Sequence, residues 1–117
     1  MKILFIVNDP PYGTERVYNA LRLAHALGKK DTTLEVSIFL MADAVLAAKA
    51  NQKTPDGFYN VERMLKRVLA GKGRILLCGT CMDARGLTDG ELMQGAQRST
   101  MDELASETLT ADKVWVF

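Results

Sequence analysis

Two cysteines three residues apart close an apolar run, Ile75-Leu76-Leu77-Cys78-Gly79-Thr80-Cys81, with Arg85 and Gly86 just beyond. They are the only cysteines in the chain. A thiol pair at this spacing has four chemistries open to it: half of a zinc site, a dithiol redox couple, one reactive thiol with a neighbour, or two small residues of a core.

Reactivity turns on ionisation. A free cysteine with a pKa of about 8.5 is only about 3% thiolate at neutral pH, and a helix N-terminus or a nearby cation raises that share. Cys78 ends the apolar run just before an expected helix, and Arg85 follows seven residues on. That placement suits an activated thiolate, and it equally suits the last core residue of a strand. A Cys78–Cys81 disulfide forms if the first helical turn brings the sulfurs into bonding geometry.

A closed structural zinc site needs four ligands. There is no second C-x-x-C, and the lone His25 lies within the first expected helix, so neither a metal nor a cofactor is expected. Thioredoxin-like chemistry also sets C-x-x-C between a strand and a helix. The prolines, however, are Pro10, Pro11 and Pro55, and none precedes a later strand to supply a cis-proline loop. The phosphate-cradling patterns G-x-x-x-x-G-K-[ST] and G-x-G-x-x-G are absent from the sequence. Tyr12 and Asp9 are candidates to line a pocket beyond the first strand. Asp43 reads as a site acid or, better, a helix N-cap, and Trp115 as core or interface.

The elements that must position these residues are read from hydrophobic period and turn chemistry. Lys2–Val7 is a continuous apolar run ended by Pro10-Pro11, as expected of a strand covered on both faces. Val17, Ala20, Leu21, Ala24 and Leu27 recur at helical spacing, with Gly28 as the expected stop. Leu34–Met41 is a second strand, and a short helix follows over Asp43–Lys49. Asn51–Tyr59 is a turn-rich loop, after which Asn60 caps a helix carrying Val61, Met64, Leu65, Val68 and Leu69 and ending at Gly71 and Gly73. Arg74–Cys78 is the third strand. Thr88–Glu91 and Thr100–Glu103 match the capping box, the second before a helix to about Leu109. A short strand falls between them within Gln94–Ser99, and Asp112–Phe117 is the last strand. The order β-α-β-α-α-β-α-β-α-β implies an α/β fold with a mainly parallel five-stranded sheet and helices on both faces. Ligands in such sheets sit at the carboxyl ends of strands, which is where Asn8–Gly13, Ala42-Asp43 and Cys78–Cys81 fall.

A chain of 117 residues fits one domain, expected to span 1–117. Lys and Arg number 15 against 14 Asp and Glu, a formal charge of +1 without long single-sign runs, so no nucleic-acid or membrane partner is expected. The apolar share, 48% before glycine is counted, runs slightly above that of ordinary soluble domains once glycine is added, as either a buried subunit interface or a well-covered sheet would make it. The start has no signal-peptide pattern and no run is long enough to span a membrane, so a cytoplasmic protein with reduced thiols is expected.

The opening strand with Asn8-Asp9-Pro10-Pro11-Tyr12-Gly13, the run Phe39–Val45, the pattern Cys78-x-x-Cys81-x-x-x-Arg85-Gly86, and Ala111-Asp112-Lys113-Val114 leading to Phe117 together resemble the DsrE/DsrF-like family, in particular its small YchN-like branch. The resemblance spans essentially the whole chain. It implies a three-layer α/β/α domain and a homo-oligomer, commonly a hexamer. It also implies a sulfur carrier or sulfurtransferase-type protein that holds a persulfide on Cys78, the cysteine placed before the Arg-Gly pair, between a protein sulfur donor and an acceptor. Cys81 is then a resolving thiol, and Arg85 stabilises the anionic sulfur. The rival expectation is a non-catalytic oligomeric scaffold with a redox-sensitive Cys78/Cys81 pair.

Overall fold

The computed structural model describes residues 1–55 and 59–117. It forms an α/β fold on one five-stranded, all-parallel sheet of order β4-β3-β2-β1-β5. The strands are β1 (Lys2–Val7), β2 (Glu35–Leu40), β3 (Arg74–Cys78), β4 (Ala96–Ser99) and β5 (Lys113–Val116). The helices are α1 (Arg16–Lys30), α2 (Val61–Ala70), α3 (Gly79–Ala84) and α4 (Met101–Thr110), with 3₁₀ segments at Ala42–Ala48 and Asp89–Glu91.

The path β1 to β2 to β3 to β4 moves stepwise across the sheet, then the chain returns to place β5 on the far side of β1. With right-handed crossovers, α1 and α2 cover one face and α4 the other. Glu107 of α4 is buried and pairs with Arg74 of β3 and Lys2 of β1, which fixes α4 across the sheet. The central strands are covered on both faces, and so they read as unbroken apolar runs. Phe5, Phe39 and Leu76 are fully buried. Phe5 also packs edge-on against Trp115 at 5.4 Å and stacks on Phe117 at 5.9 Å, tying β5 to the centre. Burying a side chain of this size contributes about 1.5–3 kcal/mol.

Asn60 caps α2 by accepting from the Arg63 N–H at 3.1 Å, and Thr100 caps α4 by accepting from Glu103 at the same distance. Three expectations shift. Gly28 does not stop α1, which continues to Lys30 with Asp31 N–H on the Leu27 carbonyl; an interior glycine costs only about 1 kcal/mol, and Lys29 and Lys30 suit the helix C-terminus. The segment after β2 is a 3₁₀ helix flanked by Met41, so Asp43 lies inside its first turn and is not its N-cap. The Thr88–Glu91 capping box forms but closes a single 3₁₀ turn. Residues 56–58 of the expected Asn51–Tyr59 loop lie outside the described residues.

Candidate functional site

β3 delivers Cys78 to the carboxyl edge of the sheet, opposite Ser99 of β4, and the chain turns at once into α3. Cys78 is the N-cap of α3, with its Sγ taking the place of the usual capping oxygen: it accepts the Cys81 N–H at 3.3 Å and lies 3.2 Å from the Thr80 hydroxyl. It is 7% exposed. Cys81, one turn on, is half-buried, and both cysteines are free thiols.

The two thiols are pushed apart in acidity. Burial opposes the thiolate at Cys78, but hydrogen bonds from the Cys81 thiol, the Thr80 hydroxyl and the Cys81 and Thr80 N–H groups outweigh it and hold the Cys78 pKa below its ordinary value. Burial, together with the hydrogen bond to Cys78 and the charge there, pushes Cys81 up, against the Ala42 N–H and the Arg85 cation. The two thiols are therefore biased in opposite directions, Cys78 toward the thiolate and Cys81 toward the protonated thiol.

Arg85 ends α3, donating from Nη1 to the Cys81 carbonyl at 3.1 Å and from Nε to Asp43 at 2.8 Å. Its charge bears on Cys81 and, through Asp43, joins α3 to the 3₁₀ helix after β2. Gly86 follows at φ +65, the left-handed conformation that lets the chain leave α3.

Sequence reasoning missed three parts of this arrangement. Ala42 sits at φ +49 and turns its N–H toward Cys81. No sequence signal marks it, since alanine has no preference for that conformation. Arg98 of β4 clamps α3 by donating to the Gly79 carbonyl at 3.1 Å, Asp83 at 3.1 Å and Asp89 at 2.8 Å. Gly79 leaves room for this clamp, since an added Cβ would come within 3.0 Å of Arg98 Nη1 and 3.2 Å of the Ser99 carbonyl oxygen and the guanidinium would have to give by a few tenths of an ångström. Thr80, lying between the cysteines, was legible as a neighbour but not as a donor to sulfur.

Of the other candidates, Tyr12 bonds through its hydroxyl to Gln52, Asp9 pairs with Arg16, and Trp115 packs on Phe5. Among the described residues no three His, Cys, Asp or Glu side chains cluster as metal ligands, and no helix is long and apolar enough to cross a membrane.

Comparison with known proteins adds four findings. The DsrE/DsrF-like family profile matches residues 1–117. Protein YchN of Escherichia coli (strain K12) is 43% identical over 116 residues, covering 99% of this chain and 98% of that protein. The crystal structure of ychN protein from E. coli superposes with a TM-score of 0.94 at 42% identity, covering 100% of this chain and 99% of that one. More distantly, Sulfurtransferase TusD of Salmonella arizonae is 27% identical over 129 residues, with both chains covered completely.

Proposed function

Because the chain belongs to the DsrE/DsrF-like family, we propose that it is a sulfur carrier of the sulfur-relay type, loaded at Cys78. The observation that carries this reading is the Cys78 Sγ receiving the Cys81 N–H while facing the Thr80 hydroxyl, an arrangement that stabilises a sulfur anion. The likeness to a protein named a sulfurtransferase supports it.

In the loading step the Cys78 thiolate attacks the outer sulfur of a donor persulfide, R–S–SH. A sulfur–sulfur bond forms at Cys78, the donor's breaks, and R–S⁻ departs with the electron pair, leaving Cys78–S–SH. An acceptor thiolate then takes the outer sulfur by the same exchange and regenerates the Cys78 thiolate. In a branch from this path, the Cys81 thiolate attacks the inner sulfur and expels HS⁻. That leaves a Cys78–Cys81 disulfide, which a dithiol reductant of the cytoplasm returns to two thiols. Burial keeps Cys81 protonated at rest, so this second attack awaits its deprotonation, which the nearby Arg85 charge favours.

Donor and acceptor are proteins, and the carrier works as a homo-oligomer, a hexamer. The sheet edge at β5 supports this, since Val116 is exposed there beside half-buried Trp115. Sulfide release tests the scheme. Given a small-molecule persulfide, the wild-type chain releases sulfide and accumulates the Cys78–Cys81 disulfide, whereas Cys81→Ser retains the persulfide and releases little. Equal release by both proteins contradicts the assignment of Cys81.

A further inference from the structure

We infer that the groove between α1 and α2 is a docking site for an acidic amphipathic helix of a protein partner. The groove encloses about 660 Å³ and is lined by Arg22 and Lys29 from α1 and by Arg63 and Arg67 from α2, with no Asp or Glu in its lining among the described residues. Among the described residues none of these four cations makes an ion pair, whereas the other arginines Arg16, Arg74, Arg85 and Arg98 all do.

The cations are arranged in rows. Arg22 and Lys29, seven residues apart, lie on one stripe of α1 about 10 Å long, and Arg63 and Arg67, one turn apart, stand about 6 Å from each other along α2. Carboxylates at i and i+4 of a helix repeat at that same spacing. Leu23, Ala26 and Met64 add apolar lining, and Leu23 is exposed to the extent of 37%. A helix carrying acids along one side and apolar residues along the other meets both features. A phosphodiester backbone has no apolar face for the lining to cover, and a chain of formal charge +1 has no general attraction for nucleic acid. Both α1 and α2 begin at the carboxyl edge of the sheet, the edge that carries Cys78. A helix laid along them therefore has one end at that edge, while Lys29 and Arg67, in the last turns of α1 and α2, hold its other end. The inference rests on the sulfur-carrier reading only in making the partner a donor or acceptor; the docking itself does not involve the thiols.

The test uses a fluorescent, end-capped synthetic helix with Glu at i and i+4 and Leu at i+3 and i+7, its Lys-for-Glu counterpart, and single-stranded RNA of equal charge to the acidic peptide. Each is titrated into the full chain by anisotropy at low and at physiological salt. The acidic peptide is expected to bind saturably, one per chain, and more weakly as salt rises. Arg63→Glu with Arg67→Glu is expected to weaken it about tenfold or more and to create affinity for the Lys peptide, with the oligomeric state unchanged. Lys29→Glu repeats the test should the double variant fail to fold. Cys78→Ser should bind as the wild type does, so a failure of the persulfide chemistry leaves the docking result standing. Absence of saturable binding, indifference to the charge reversals, tighter binding of the RNA, or dissociation of the assembly by the reversals would each overturn the inference. The last result would make the groove an interface between copies.

Discussion

Thr80→Val removes one donor from Cys78 and nearly preserves shape, so it isolates the role of that hydroxyl. The hydroxyl lies 3.2 Å from Sγ, and a hydrogen bond to a charged group is worth about 1.5–3 kcal/mol when shielded from water. Thr80 is exposed, so solvent competes and about 1 kcal/mol is the reasonable figure. That corresponds to a rise of about 0.7 in the Cys78 pKa. On the acid side of its titration the thiolate fraction then falls about fivefold, while the more basic thiolate is about twice as nucleophilic, since reactivity rises with about 0.4–0.5 of the pKa change. Alkylation of Cys78 by iodoacetamide should therefore be about twofold slower on the acid limb of its rate–pH curve, and about twofold faster on the alkaline plateau. The two rate–pH curves should cross. Peptide mass spectrometry separates Cys78 from Cys81, and thermal unfolding of the variant should change little, since exposed substitutions shift stability by about 0.5 kcal/mol or less. Superimposed curves, or a shift confined to Cys81, would refute the assignment of Thr80 as a thiolate donor.

Two further substitutions probe the scaffold. Phe5→Ala empties a fully buried position against Trp115 and Phe117 and should cost about 3–5 kcal/mol in urea unfolding; a loss below about 1 kcal/mol would deny that β5 is anchored through this ring. Ala42→Gly relieves the left-handed strain of about 1 kcal/mol and gives back a similar amount of unfolded-chain entropy, so stability should stay nearly level, whereas Ala42→Val should lose about 1–2 kcal/mol. Equal unfolding midpoints for the Val and Gly variants would show that the backbone there is not held at its observed φ.

The fold was legible where burial is two-sided. β1, β2 and β3 lie inside the sheet, and their apolar runs announce them. β4, Ala96–Ser99, has a single neighbour and two exposed residues in four, so its composition carries almost no strand signal. Only the alternation of elements required a strand there. The position of Cys78 at a strand end followed from the run Ile75–Leu77. The contacts that hold α3 and bear on Cys81 did not, because Ala42, Asp43 and Arg98 reach them from other loops and strands, and sequence spacing holds no information about such contacts. Gly28 misled for the converse reason. Glycine permits a helix stop without enforcing one, and here α1 continues two residues further at its φ < 0 conformation.

Intact mass spectrometry after exposure to a persulfide donor tests the central claim most directly. The reduced wild-type chain should gain the mass of one sulfur atom, with the added sulfur mapped to Cys78. Cys78→Ser should gain nothing, and Cys81→Ser should gain the sulfur and hold it longer than the wild type, since the thiol that attacks the persulfide is gone. A wild-type chain that stays unmodified under conditions that load a known carrier, or a Cys78→Ser chain that still gains sulfur, would contradict the account.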